Sequence, residues 1–358
     1  MLTDMKEEAR RQAEICNACR YCEGYCSVFP SLHSNREFSD GEIIQLANLC
    51  HNCRGCYYAC QYTAPHEFDL NLPAALAEVR QDSWEAFAYP RFVATHFQKN
   101  GMAIALATSL CFSAFFVVTQ WLGRGNGDGF YAFISHDLMI LIFAPAFVLP
   151  LTSLTVSLRR YWLAVDGTRI TLIHIYNALR AAATMHNLAG GHGEGCNFED
   201  EDRFTQARRV AHQLVLYGFL LCFASTSSGT ILHYIFDLPA PHGFFSLPKL
   251  LGMPGGLMLT WGAIWLFRLK LKADPNLGSM AARNGEFGFI ALLGFVAASG
   301  LVLYILGQTA LMPLTLAVHL GAVLTFFLLT PYTKMVHGIY RFAALVRDAQ
   351  RKTESTNP

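Results

Sequence analysis

Acidic residues are almost absent from the long apolar stretches of this sequence, where Asp137, near one end of a stretch, is the main exception. That scarcity argues against an ion or substrate path at mid-membrane, which calls for broken helices with buried polar groups. Other signals are missing too. With 27 Lys and Arg against 26 Asp and Glu and no basic patch, nothing in the chain is built for nucleic acid. The glycine run at 190–195 does not fit G-x-G-x-x-G, and no other nucleotide fingerprint occurs, so a flavin or nicotinamide site is not expected. The first 90 residues hold no apolar run long enough for a signal peptide or a span, and Arg10-Arg11 lacks the apolar stretch of a twin-arginine signal. This head is therefore expected not to be exported.

What the chain does have is apolar mass: 53% of its 358 residues are hydrophobic and only 15% charged, a balance unsuited to a purely soluble protein. Six stretches, 101–122, 134–157, 210–235, 248–268, 287–307 and 311–333, reach the roughly 20 apolar residues that cross a bilayer as helices. Lys and Arg are distributed unevenly between them. Arg159, Arg160, Arg169, Arg180, Arg203, Arg208 and Arg209 follow the second stretch, Arg268, Lys270, Lys272 and Arg283 follow the fourth, and Arg341, Arg347, Arg351 and Lys352 follow the sixth. The opposite loops offer little beyond Arg124 and Lys249. The positive-inside rule then places both termini in the cytoplasm, in a bacterial-type inner membrane.

Eight of the 11 cysteines fall into two runs of C-x2-C-x2-C-x3-C. Cys16, Cys19, Cys22 and Cys26 recur 34 positions later as Cys50, Cys53, Cys56 and Cys60. This is the ligand pattern of two-cluster ferredoxins, in which three close thiolates bind one 4Fe-4S cluster and the fourth reaches to the other. It assigns Cys16, Cys19, Cys22 and Cys60 to one cluster and Cys50, Cys53, Cys56 and Cys26 to the second. Structural zinc prefers paired C-x2-C knuckles, and disulfides need an oxidising compartment that the topology denies. Ser27 and Gln61, where the bacterial pattern has Pro, weaken the analogy to small β-rich ferredoxins. The surroundings read as helices: residues 4–15 are strong helix formers, Ser39 with Glu42 makes a capping box, and Asn71 with Pro73 opens another helix.

Histidines within apolar helices are costly and mark cofactors or proton paths. His319 and His337 are 18 residues apart, five turns at about 3.6 residues each, and on one continuous helix they share a side about 27 Å apart. His212 and His233, 21 apart, stay within about 60° of a common face over roughly 31 Å. Because the two helices run in opposite directions, His212 is level with His337 and His233 with His319, so two bis-histidine b-type haem sites are expected; the alternative is that these histidines donate to backbone or neighbouring side chains, or sit at an interface. Pro331 lies between His319 and His337 and is able to kink that helix. His136 and His242 are reserve ligands. Between 158 and 208, "ITLIHIYNALRAAATMHNL" suits an interfacial helix and "GGHGEGCNFEDED" a glycine-rich acidic turn. His192 and Cys196 there are too few to make a metal site, and Cys111 and Cys222 are most simply small apolar residues.

The tandem cysteine runs, with "GGHGEGCN", "RRVAHQLVLYGFLLCFASTSSGTILHY" and "PYTKMVHGIYRFAALVRD", closely resemble the tricarballylate-utilisation protein B family (TcuB, also called CitB) over nearly the whole chain. The last apolar stretch also resembles the final helix of nitrate-reductase gamma-type cytochromes b. The family resemblance implies a membrane subunit with iron–sulfur clusters and haem, receiving electrons from a flavoprotein of the TcuA type that oxidises tricarballylate, and delivering them to the quinone pool. The expected fold is all-α: residues 1–90 as an α-helical two-cluster ferredoxin-like domain, 91–345 as a six-helix transmembrane cytochrome b-like bundle, and 346–358 as a cytoplasmic tail. An electron-transfer subunit of another redox complex, or a transporter with a redox-sensing head, are the other classes open at this point.

Overall fold

The computed structural model describes residues 2–35, 37–122, 129–190, 194–198, 203–240 and 242–356; Arg124 and His192 lie outside the described residues. Among these the protein is all-α, as expected, with no strand and a single isolated bridge between Cys196 and Thr205. The head comprises α1 (Leu2–Cys19), α2 (Val28–His33), α3 (Asp40–Leu49), α4 (Gly55–Tyr58) and α5 (Leu72–Phe87). Both foreseen caps form. Ser39 and Glu42 exchange the two bonds of a capping box at the start of α3, and Asn71 Oδ1 accepts from the Ala74 amide at the start of α5. Each satisfies a helix-end N–H that would otherwise lack a partner.

Six helices are long and apolar enough to cross a membrane: α6 (Arg91–Leu122), α7 (His136–Ala164), α9 (Ala207–Phe236), α10 (Leu247–Lys272), α11 (Arg283–Leu306) and α12 (Met312–Leu329), the last extended by a 3-10 turn to Tyr332. Asn100 breaks α6 with non-helical dihedrals (φ −128°, ψ 26°), so its apolar part begins at Gly101, where the sequence places the first span. Large apolar side chains such as Trp121, Leu141 and Ile305 are exposed along these helices, a surface suited to lipid. Small residues let the helices approach. A Cβ on Gly218 of α9 would meet the Leu259 backbone of α10 at 2.6 Å, and one on Gly300 of α11 would meet the His319 ring at 3.0 Å.

The expectation of one continuous helix from His319 to His337 does not hold. Pro331 lacks an amide hydrogen to continue the ladder, α12 stops at Leu329, and a separate helix, α13 (Val336–Thr356), carries His337 near its start. Residue 345, the end drawn for the membrane domain, falls inside α13. This helix is no free tail. Val336, Tyr340, Ala343 and Ala344 are buried in one hydrophobic cluster with Leu46 and Leu49 of α3, Leu76 and Trp84 of α5 and Tyr161 of α7. Head, bundle end and C-terminal helix therefore share a core, and both termini lie at one end of the bundle. The interfacial helix foreseen around 170–188 is α8 (Leu172–Thr184); it packs on α13 and leaves Leu172, Ile173 and Tyr176 exposed.

Gln45, fully buried, ties these parts together: its amide donates to the Ala344 carbonyl at 2.8 Å, and its carbonyl accepts from the Tyr161 hydroxyl at 2.7 Å. Gln45→Leu strands both partners, and each unpaired buried group costs about 1–3 kcal/mol. Thermal unfolding of the purified protein is expected to show a clearly lowered midpoint; an unchanged midpoint would mean that this junction is not held by Gln45.

Candidate cofactor sites

The 34-residue repeat of the cysteine runs is also a repeat of backbone conformation. Arg20 and Arg54, each directly after the second cysteine of its run, both adopt left-handed backbone (φ 56° and 68°). Cys26 and Cys60, the fourth cysteines, each accept a hydrogen bond from the amide two residues on, that of Val28 and that of Tyr62 respectively, the latter at 3.3 Å. The Asn52 amide likewise donates to Cys50 Sγ at 3.4 Å. Such N–H donors stabilise thiolate sulfur and tune a bound cluster.

The thiols group across the two runs. Cys16, Cys19, Cys22 and Cys60 all line a cavity of about 220 Å³, with Cys56 also on its wall. Burial first, and then the neighbouring Cys60, Cys22 and Cys19, push the Cys16 thiol up to about 12; burial with Cys60 and Cys19 does the same to Cys22. Cys26 is raised by burial and by Cys53 and Cys50, and Cys56 by burial and by Cys53, Cys26 and Cys50. Mutual repulsion of this kind is relieved by a cation, which deprotonates the thiols it binds. Among the described residues no three His, Cys, Asp or Glu side chains converge on a single metal ion. Four thiols around a space of this size suit a polynuclear cluster better than one ion. The donor set fits iron–sulfur chemistry.

Of the four histidines, the structure brings two together. The His212 and His337 rings meet edge to face, with centroids 5.7 Å apart and planes at 71°, on the wall of a cavity of about 480 Å³. His337 Nδ1 lies 2.5 Å from the Lys334 carbonyl, to which it can only donate, leaving Nε2 with a lone pair. Burial, followed by the charges of His212, Arg341 and Lys334, holds His337 well below the usual imidazole range, so it is neutral. A neutral, oriented imidazole beside a second one, both on the wall of a roomy cavity, suits a bis-histidine haem site. His233 and His319 occupy separate surroundings. His233 stacks on His136 at 4.6 Å, beside Tyr131 and Tyr234, whereas His319 Nδ1 lies 3.0 Å from the Ser299 hydroxyl.

The cavity also contains groups that spacing did not single out. His51, between Cys50 and Cys53, is buried, lines the cavity and has an unpartnered Nδ1. Arg80 and Arg341 both donate to the Cys50 carbonyl, at 2.8 and 2.6 Å. Arg54 and Arg208 lie over the Phe198 ring, 4.9 and 4.2 Å from its centre. Burial and the like charge of Arg208 push Arg54 down to about 10, and burial with Arg80 lowers Arg341 to about 9. Glu286 accepts from Lys334 at 2.5 Å and also pairs with Lys270. Cys196 is buried within hydrogen-bond reach of Cys53, and the Asn197 amide donates to the Cys53 carbonyl at 2.9 Å. Cys196 and Asn197 thus stand against the second cysteine run at Cys53. For Arg208 and Arg341 the sequence signal was present, but as loop charge; Arg54 and Arg80 carried none.

These features define a class: a polytopic membrane protein whose helical, cysteine-rich head shares a core with the end of its bundle. Comparison with known proteins agrees. Residues 94–357 match the family model described as citrate utilization protein B, and residues 9–86 match that of the citrate utilization protein B Fer4-like domain. A relative called "Citrate utilization protein B", from Escherichia coli, is 39% identical over 359 residues, covering 98% of this chain and 94% of that protein. The chain belongs to the citrate utilization protein B family. No solved structure matches it.

If the crossed thiol sets each hold a 4Fe-4S cluster, anaerobically purified protein contains iron and acid-labile sulfide for two clusters. Cys53→Ser is then expected to remove the second cluster's share while the first survives. Zinc in place of iron, or equal loss of both clusters in this variant, would contradict the assignment.

Proposed function

We propose that this chain is an electron-transfer subunit that accepts electrons from a reduced flavoprotein at its head and delivers them to membrane quinone. The observation that carries this reading is the wall shared by the second cysteine run and the histidine cavity: Arg80 and Arg341 bind the Cys50 carbonyl and line the cavity on which His212 and His337 stand. In this reading Cys16, Cys19, Cys22 and Cys60 hold the first 4Fe-4S cluster, Cys50, Cys53, Cys56 and Cys26 hold the second, and His212 with His337 hold a b-type haem. Such groups, when bound, supply the one-electron steps that divide the two electrons of a reduced flavin. A second haem on His233 and His319 requires those rings to leave His136 and Ser299, so the geometry supports one site more strongly than two.

The protein's own residues hold the sites in place. The Lys334 carbonyl fixes the His337 tautomer, the arginines clamp the Cys50 segment to the bundle, and the shared core packs the head against the bundle end. Cys19 is exposed on the head, so the first cysteine set is the one nearest to a soluble partner. That partner is a flavoprotein dehydrogenase of the tricarballylate-oxidising type that the family resemblance implies. The Lys and Arg bias puts the head and both termini in the cytoplasm of a bacterial inner membrane. A transporter reading finds little support, since the paired Glu286 stands in the first turn of α11 rather than at mid-membrane.

In membrane vesicles, a reduced flavoprotein of this type is expected to reoxidise rapidly only when the protein and a quinone are both present. Equally fast reoxidation in quinone-depleted vesicles, or flavin retained by the purified chain itself, would overturn the assignment of roles.

A further inference from the structure

The lining of the histidine cavity carries far more positive than negative charge. Among the described residues that line it are seven Lys or Arg side chains and only two carboxylates, Asp274 and Glu286. Glu286 is already occupied by Lys270 and Lys334. The four arginines on the side of the head have neutral hydrogen-bond acceptors. Arg54 donates to Asn52 Oδ1 and the Phe198 carbonyl, Arg80 to the Ala47 and Cys50 carbonyls, and Arg341 to the Asn48 and Cys50 carbonyls. Arg208 donates to the Asn52 carbonyl at 2.7 Å and also reaches Cys196. A guanidinium has five N–H donors, so each retains donors after these bonds. Uncompensated charge beside a low-dielectric core is costly, and anions that accept paired hydrogen bonds from guanidinium offset that cost.

We propose that Arg54, Arg80, Arg208 and Arg341 form a carboxylate-binding wall that receives the two propionate groups of a haem held by His212 and His337. The proposal rests on the haem reading above and extends it: it gives the ligand a direction, with its charged edge against the Cys50–Arg54 segment and its apolar body among Val215, Phe219 and Phe289. The same charge balance argues against a quinone in this cavity, because a neutral ring leaves the guanidiniums as they are. A free polycarboxylate shares the carboxylate chemistry, but has no use for two neighbouring neutral imidazoles.

The full chain, produced without haem and placed in lipid nanodiscs, is titrated with haem b and with its dimethyl ester, in which both carboxylates are uncharged; binding is read from the Soret band. Wild-type protein is expected to bind haem at least tenfold more tightly than the ester. Arg208→Gln and Arg341→Gln are expected to shrink that ratio towards one, while any haem they bind keeps the low-spin spectrum of two imidazoles. Equal affinity of the wild type for the two ligands overturns the proposal without reference to any variant. Citrate added to the haem-free protein is expected not to bind; citrate binding that the same arginine variants abolish would assign the wall to a free carboxylate and also overturn it. Failure of the underlying reading looks different: His212→Ala and His337→Ala would then retain the low-spin spectrum of the wild type.

Discussion

The Cys50 carbonyl oxygen accepts hydrogen bonds from two arginines, Arg80 of α5 and Arg341 of α13, and the placement of the cysteine-rich head on the membrane bundle turns on this junction. Cys50 opens the second cysteine run. Arg80 comes from the last helix before the membrane and Arg341 from the helix that follows the last span, so the two ends of the transmembrane sequence converge on one peptide group. A charge-assisted bond to a buried carbonyl is stronger than a neutral one. Replacing either arginine by an apolar residue would leave the other to hold a segment that also forms the cavity roof. Gln45, Arg160 and Arg347 reinforce the junction through the carbonyls of Ala344, Phe87 and Val165.

The second thiol set and the paired histidines stand on either side of a few residues, Cys50 to Arg54, whose side chains face both ways. His51 and Arg54 point into the cavity, while Cys50 and Cys53 belong to the cysteine run. Cys196 and Asn197 stand against Cys53, and the Arg208 guanidinium reaches from α9 to Cys196 and to the Asn52 carbonyl.

Much of this was legible in the sequence, and the failures have physical causes. The six apolar helices and the two cysteine runs are strong local patterns, and the caps at Ser39 and Asn71 form as read because a cap is decided within four residues. The histidine pairing was only partly legible. His212 and His337 meet, but through a break at Pro331 and a new helix rather than down one continuous face. Periodicity assigns faces within one helix; it is silent on how a second helix is set against the first, and that decided where His233 and His319 went. Arg208 and Arg341 illustrate a different limit. Counted as loop charge they report topology, and they carry that signal whichever way the side chains turn. Only the packing reveals that they turn inward, around a cavity, to hold the backbone of the cysteine run.

The central claim is that the second thiol set and the His212–His337 site are neighbouring stations in one electron path. Pulsed electron paramagnetic resonance of the partly reduced protein tests it directly, because a nearby ferric haem hastens the spin relaxation of a reduced cluster. The cluster signal that Cys53→Ser removes is expected to relax markedly faster when the haem is ferric than when it is ferrous, and the other cluster much less so. Relaxation of that signal independent of the haem oxidation state would contradict the account.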